Sequence, residues 1–169
     1  MRPEAVPCRQ AGAMPAECRL RHGRRSIAGQ IFLVTFTTHR RKPLFADASL
    51  AMAASRLLAE SSAWTGADLL AWVLMPDHWH GVVALRQAEL SDVVGKLKGR
   101  SARLLRRELA VPDRIWGRGF HDRALRKEDD LVAMARYVVL NPVRAGLVGS
   151  VREYPFWDAA WVADGRARG

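Results

Sequence analysis

The chain has 169 residues, 49% of them hydrophobic, and a formal net charge of +10 from 27 Lys and Arg against 17 Asp and Glu. This length suits one domain with its own core. The excess of cations favours a polyanionic partner, above all nucleic acid, because neutralising phosphates releases condensed counterions. An anionic membrane is the weaker alternative, since the one strongly basic helix that we predict lacks aromatic residues.

Both ends of the chain are polar and carry no targeting signal. Residues 1–22 have no apolar run, so we expect a disordered extension there, one domain over residues 23–162, and a disordered tail over residues 163–169. The only cysteines, Cys8 and Cys18, stand in the extension, which excludes a disulfide framework and a cysteine-based zinc site. No stretch reaches the ~18 apolar residues of a membrane span, so we expect a cytoplasmic protein without a membrane partner.

The first half of the domain predicts three strands and one helix. Residues 31–38 are β-branched and aromatic, which is typical of a strand. Asp47 can cap a helix that runs from Ala48 to about Ser61. Strands at about 68–74 and 78–85, joined by a tight turn, then predict an antiparallel hairpin.

The second half predicts two helices around one strand. A helix begins at Ser91 or Asp92 and continues to about Leu109. Residues 114–125 alternate well enough for a fourth strand, although two glycines weaken it, and a further helix follows over about 128–139. The order is β-α-β-β-α-β plus a terminal helix, which predicts an α+β, ferredoxin-like fold whose antiparallel sheet carries two helices on one face.

His78 and His80 are the most informative pair in the chain. Alternate residues share a strand face, so both imidazoles converge on one side of the sheet and form half of a metal site. Two surface or turn histidines explain the pair equally well if it is taken alone. Trp79 must point to the opposite face, where we expect it to pack under a helix.

Tyr137 and Asn141 form a second candidate pair. They lie four residues apart near the end of the last helix, so they share its face, and Pro142 is expected to stop the helix there. A phenol is a feasible nucleophile, and an amide oxygen is a suitable ligand for Mg²⁺ or Mn²⁺. The alternative is a packed aromatic residue followed by a helix-ending one.

Tyr154 is the only rival nucleophile, because the chain has just two tyrosines. It stands in a hydrophobic segment without an amide or histidine at helical spacing, so we assign it a structural role. His121 is interpreted as an exposed or DNA-facing residue.

Basic side chains form three candidate DNA contacts. The first is a stripe along the second long helix at i, i+4, i+7 and i+11, broadened by a fifth residue: Lys96, Arg100, Arg103, Arg107 and Lys98. The other two clusters precede and follow the first strand: Arg24 with Arg25, and Arg40 with Arg41. A solvated helix face is the alternative for the stripe, and spacing does not tell base contacts from phosphate contacts.

Five ordered segments carry a family resemblance: MPDHWH at 75–80, LKGRS at 97–101, WGRGFHDRAL at 116–125, ARYVVLNPVRAGLV at 135–148 and YPFWDA at 154–159. Together they resemble the REP-associated tyrosine transposases, which are single-tyrosine HUH enzymes, named for His-hydrophobic-His, and are similar to insertion-sequence transposases. The resemblance runs from about Gly23 to Val162 and so covers nearly all of the predicted domain.

The resemblance implies a mechanism and its residues. His78, His80 and Asn141 would hold Mg²⁺ or Mn²⁺, and Tyr137 on its C-terminal helix would attack a phosphodiester of single-stranded DNA, leaving a 5′-phosphotyrosine and a free 3′-hydroxyl. Substrates would be imperfect palindromes that fold as hairpins, namely repetitive extragenic palindromes, and no nucleotide cofactor would be needed. We expect a monomer rather than a homodimer.

Other classes of protein remain open. A non-catalytic, hairpin-binding regulator is expected to show a damaged histidine pair or tyrosine, and neither is damaged here. A hydrolase that activates water would normally need more carboxylate ligands than this chain offers near the pair. Replication initiators and relaxases share the tyrosine chemistry but usually bring additional domains.

Overall fold

The computed structural model describes residues 29–109, 114–126 and 131–160, and within them five strands form one antiparallel sheet. The strands are β1 (Ile31–Thr37), β2 (Ala67–Met75), β3 (His78–Leu85), β4 (His121–Ala124) and β5 (Trp157–Ala159). Their order across the sheet is β4-β1-β3-β2-β5, and every neighbouring pair is antiparallel. The predicted α+β class and the βαββαβ order are confirmed.

Four α-helices occur among the described residues: α1 (Ala48–Ala59), α2 (Leu90–Leu109), α3 (Leu131–Val139) and α4 (Asn141–Arg144). Short 3₁₀ turns lie at His39–Arg41, Leu44–Ala46, Ser61–Ala63 and Val151–Glu153. The predicted cap is present, since the Asp47 carboxylate accepts a hydrogen bond from the backbone N–H of Leu50 at 2.8 Å. Among these helices none combines the length and apolar character needed to cross a membrane.

The predicted fourth strand is broken into two pieces. Trp116 forms an isolated bridge with Thr38, and only His121–Ala124 forms the strand itself. Between them the chain turns at Gly119, whose φ of 66° suits glycine. The ammonium group of Lys98 donates hydrogen bonds to the carbonyls of Gly117 and Gly119, so this basic side chain holds the interruption in place.

Two features at the C-terminal side differ from expectation. β5 was not predicted, because its three residues are too few to show a strand pattern, yet it pairs with β2 as an edge strand. The helix that carries Tyr137 ends at Val139, before Pro142 as expected, but Asn141 does not lie on it: Asn141 begins the separate helix α4, and Pro142 lies buried in the first turn of α4, where its missing N–H costs nothing.

The sheet has a core on each face. α1 and α2 cover one face, where Phe36, Trp79 and Leu97 belong to the larger apolar cluster. α3 covers the other face through Ala135, Val138 and Val139, which pack with strand residues including Val73 and Val82. Each face of the sheet therefore carries its own apolar cluster.

Several predictions lie outside the described residues. These are the expectation of disorder for residues 1–22 and 163–169, and the basic pair Arg24 and Arg25. The start of the third predicted helix, over residues 128–130, also falls there, and its described part is α3.

Candidate functional site

His78 and His80 project from β3 onto the sheet face that α3 covers. Val82, two residues further along the same strand, belongs to the α3-side core, and alternate residues of a strand share a face. Trp79 belongs to the core on the opposite face, as predicted. The histidine pair therefore lies on the face where the helix carrying Tyr137 packs.

The two rings lie close together, and the Nδ1 atom of each ring has a polar partner. Their centroids are 4.6 Å apart and their planes are nearly perpendicular, at 87°. His78 Nδ1 lies 2.5 Å from Asp77 Oδ1, and His80 Nδ1 lies 2.7 Å from Thr35 Oγ1. Because each Nδ1 is engaged, Nε2 is the ring nitrogen left for a metal ion. The Asp77 carboxylate only accepts and so keeps the proton on Nδ1 of His78, whereas the Thr35 hydroxyl can donate or accept.

The electrostatics of the pair suit metal binding. Burial lowers the pKa of His80 to about 4, assisted by the positive charges of His78 and Arg41, so His80 is neutral at neutral pH. Burial tends to raise the pKa of Asp77, but its hydrogen bond to His78 and the nearby charges of His78 and Arg41 outweigh this, and the net pKa is lowered. Asp77 is therefore an ionised carboxylate beside His78, and His80 is a neutral potential ligand.

Trp79 fixes the strand between the histidines. Its side chain is 0% exposed and stacks on Phe36 at 4.8 Å between ring centroids and on Trp64 at 5.8 Å. The indole lies over Gly81, where an added Cβ would come within 2.1 Å of the ring. The glycine two residues after Trp79 thus leaves the room that the indole fills.

Tyr137 lies on the exposed side of α3, and Asn141 is the first residue of α4. The Tyr137 side chain is 41% exposed, and the Arg144 guanidinium carbon lies 4.3 Å from its ring centroid. Asn141 Nδ2 is buried without a hydrogen-bond partner among the described residues. In this part of the chain, no hydrogen bond or ring contact joins Tyr137 or Asn141 to the histidine pair.

The donors fit a divalent cation only if other ligands complete the shell. In the described ranges, no group of three or more His, Cys, Asp or Glu side chains could hold a metal ion. Two imidazole Nε2 atoms are available, and the amide oxygen of Asn141 would be the third ligand, whereas its buried Nδ2 is a donor without a partner among the described residues. Such a set leaves open coordination positions, which suits Mg²⁺ or Mn²⁺ bound together with phosphate oxygens and water.

Tyr154 is built into the core. Its hydroxyl donates a hydrogen bond to the Leu74 carbonyl at 2.7 Å, and the residue is 8% exposed. Burial raises the pKa of Tyr154 to about 12, which disfavours a phenolate. Its predicted structural role is confirmed.

The basic stripe of α2 lies away from the histidine pair. α2 packs on the sheet face opposite the pair. Arg100 Nη2 lies 2.6 Å from Glu60 Oε2, and Lys98 binds backbone carbonyls, so two members of the stripe are engaged within the protein. The remaining three are exposed: Lys96, Arg103 and Arg107.

Arg41, by contrast, lies beside the pair, while its neighbour Arg40 is exposed. Arg41 Nη1 is 3.2 Å from Asp77 Oδ2, which places a guanidinium group behind His78. His121 is exposed, as predicted, and sits opposite Thr35 in the β1–β4 ladder, on the same face as the pair. The sequence signal for Asp77 was its position directly before His78, whereas Thr35 and Arg41 gave no local signal.

Comparisons with known proteins agree with this architecture. No curated protein matches the chain. A structure of a REP-associated tyrosine transposase bound to a REP hairpin is 22% identical, with a TM-score of 0.60 over 81% of each chain. A crystal structure of a putative transposase from Deinococcus radiodurans R1 is 21% identical, with a TM-score of 0.50 over 72% of this chain and 96% of that one. The model of the IS200-like transposases matches residues 28–138, more than half of the sequence, and the chain therefore belongs to that family.

Proposed function

We propose that the chain is a metal-dependent transesterase that cleaves and rejoins single-stranded DNA at hairpin-forming repetitive extragenic palindromes through Tyr137. The observation that carries this proposal is the placement of the histidine pair on the sheet face where α3, the helix bearing Tyr137, packs. The partner in the similar REP-bound transposase supports hairpin DNA as the substrate.

The chemistry exchanges one phosphoester for another. The Tyr137 oxygen attacks phosphorus, its bond to phosphorus forms as the bond to the 3′-oxygen breaks, and the phenol proton passes to solvent. The 3′-oxygen takes up a proton and leaves as a free hydroxyl, while the 5′-phosphate stays on the tyrosine. Because the number of phosphoester bonds is unchanged, a 3′-hydroxyl can later attack the phosphotyrosine and rejoin DNA without ATP.

The side chains around the reacting groups orient them. His78, His80 and Asn141 would hold Mg²⁺ or Mn²⁺, which when bound polarises a phosphate oxygen as a Lewis acid. Asp77 and Thr35 fix the two imidazole rings through their Nδ1 atoms.

Arg144 orients the nucleophile. Its guanidinium lies over the Tyr137 ring and restrains a phenol that is otherwise exposed on one side.

Phosphate contacts divide between the two faces. Lys96, Arg103 and Arg107 on α2 are expected to contact the hairpin stem, whereas Arg40 and Arg41 are expected to contact the strand near its foot. A DNA molecule that uses both sets must pass around the sheet from one face to the other. Lys98 and Arg100 were candidate contacts as well, and we expect less from them because both are only partly exposed.

The test is an adduct assay with end-labelled hairpin oligonucleotides. Wild-type protein with Mg²⁺ or Mn²⁺ is expected to form a covalent protein–DNA species on denaturing gels. Tyr137→Phe removes the nucleophile and His78→Ala removes a metal ligand, so both should abolish it. Tyr154→Phe is the matched control, because it removes the other phenol and should leave the adduct.

Each alternative function predicts a different result in this assay. Tight hairpin binding by wild-type protein without any cleavage would replace the proposal with a non-catalytic regulator. Cleavage that survives Tyr137→Phe would replace it with a nuclease that activates water.

A further inference from the structure

The loop after β1 contains two consecutive strained arginines. Arg40 and Arg41 have φ values of 56° and 52°, in the left-handed region that non-glycine residues seldom adopt. Such conformations persist only where surrounding structure enforces them, and they cluster at functional sites. Other parts of the structure must therefore stabilise this loop conformation, and the conformation is expected to serve a function.

The support is a set of hydrogen bonds to the β2–β3 turn. Thr38 N donates to the Asp77 carbonyl at 2.8 Å, and the single hydroxyl proton of Thr38 is within reach of two carbonyls, that of Lys42 at 2.7 Å and that of Asp77 at 3.0 Å. Phe45 N donates to the Pro76 carbonyl at 3.0 Å. Both ends of the loop are thus fastened to the turn that precedes the histidine pair.

These hydrogen bonds between the loop and the β2–β3 turn determine the position of Arg41. One guanidinium nitrogen lies 3.2 Å from Asp77 Oδ2, while Asp77 Oδ1 holds His78. The Arg41 side chain is 67% exposed, and an ion pair as exposed as this contributes little to stability. The ion pair alone therefore does not account for two adjacent left-handed residues.

The geometry points to a role in binding DNA phosphate at the reacting centre. A guanidinium has five N–H donors in a planar fork that matches phosphate oxygens, and Asp77 takes only one of them here. We propose that Arg41 is a substrate-positioning residue that binds a non-bridging oxygen of the phosphodiester attacked by Tyr137, while Asp77 holds the guanidinium beside His78. This inference rests on the proposed function and adds a ligand for the reacting phosphate.

The experiment is a double-mutant cycle in which one change is made in the protein and the other in the DNA. Hairpin oligonucleotides carry one neutral methylphosphonate in place of each phosphate in turn, and their affinities are measured by fluorescence anisotropy. All proteins carry Tyr137→Phe so that no cleavage occurs. Neutralising the reacting phosphate should weaken binding about tenfold when Arg41 is present. With Arg41→Ala the same DNA change should have little further effect.

Two control variants define specificity. Arg86→Ala removes an exposed arginine that pairs with Asp68, and its effect should add to that of every methylphosphonate. Arg40→Ala removes the neighbouring charge from the same loop and should not couple to the reacting phosphate. Arg41→Lys keeps the charge without the fork and should restore only part of the coupling.

A second measurement distinguishes whether Arg41 binds phosphate directly or acts only by holding Asp77 in place. In the absence of DNA, Arg41→Ala should leave Mn²⁺ affinity nearly unchanged, whereas Asp77→Asn should weaken it about 10- to 100-fold, as expected for loss of an outer partner of a ligating histidine. Equal losses in both variants would show that Arg41 acts only through Asp77 and would overturn the proposal.

The outcomes also distinguish this inference from the proposed function. Coupling at the phosphate that becomes joined to Tyr137 in the wild-type protein supports the inference, and coupling at no phosphate or only within the stem overturns it. If the wild-type protein forms no adduct, the proposed function fails. Coupling of Arg41 and His78 to one common phosphate would then still support Arg41 as a phosphate ligand.

Discussion

The two faces of the sheet differ most sharply along one strand, β3. On the α1–α2 side, Trp79 is 0% exposed and stacks between two aromatic rings. On the α3 side, His78 and His80 are partly exposed and bind polar partners through one nitrogen each. A single alternating tripeptide thus contributes to a closed core on one face and to a partly exposed polar site on the other.

The comparison teaches how a candidate pair of metal ligands can be made rigid by packing on the opposite side of one strand. The histidines share a backbone with a residue that a packed aromatic cluster holds on the other side. Since strand geometry fixes where alternate side chains point, the order of the aromatic side is transmitted to the imidazoles. A substitution that disrupts packing on the aromatic face should therefore change the properties of the two histidines on the other face.

The largest effect is expected from Trp79→Ala. Removing the buried indole leaves a cavity between Phe36 and Trp64 and should lower the free energy of unfolding by about 3–5 kcal/mol. Urea denaturation measures this loss, and titration with Mn²⁺ under conditions that keep the variant folded should show weaker binding. An unchanged melting temperature together with intact metal binding would refute the coupling between the faces.

A smaller effect is expected from Gly81→Ala, which adds one methyl group on the aromatic side. The new Cβ would lie within 2.1 Å of the Trp79 ring, so the indole must shift, at a cost of about 1–3 kcal/mol. Gly95→Ala is the matched control, because nothing lies within 4 Å of its Cβ position on α2 and alanine favours helix by about 1 kcal/mol. Thermal unfolding should shift in opposite directions, and equal shifts would contradict the close approach at Gly81.

The smallest effect is expected from Tyr154→Phe, which tests the α3 side away from the histidines. Loss of the hydrogen bond to the Leu74 carbonyl should lower the free energy of unfolding by about 1 kcal/mol, because a buried acceptor loses its partner. Chemical denaturation provides the value. A variant as stable as the wild type would indicate that this bond adds nothing to the packing of the second core.

The parts of the fold that depend on local pattern could be predicted from the sequence. Alternation marked β3, and the carboxylate of Asp47 marked the start of α1. The opposite orientations of Trp79 and the histidines follow from the two-residue period of a strand. These features need only neighbouring residues to be explained.

The features that escaped prediction depend on contacts between distant segments. Thr35 binds His80 only because β1 and β3 pair in a register that places these residues opposite each other. The placement of the α2 stripe on the far side of the sheet depends on which face each helix covers, and spacing along one helix does not report that. The break before β4 depends on the Lys98 ammonium, a side chain from another element.

The left-handed pair at Arg40 and Arg41 has a consequence for protein engineering. Glycine would relax the backbone at either position, so a search for greater stability alone would select it there. At Arg41 that choice would discard the guanidinium beside Asp77. Variants selected for thermal tolerance and variants selected for DNA processing should therefore diverge at this position, which makes residue 41 a useful marker of which property a selection has favoured.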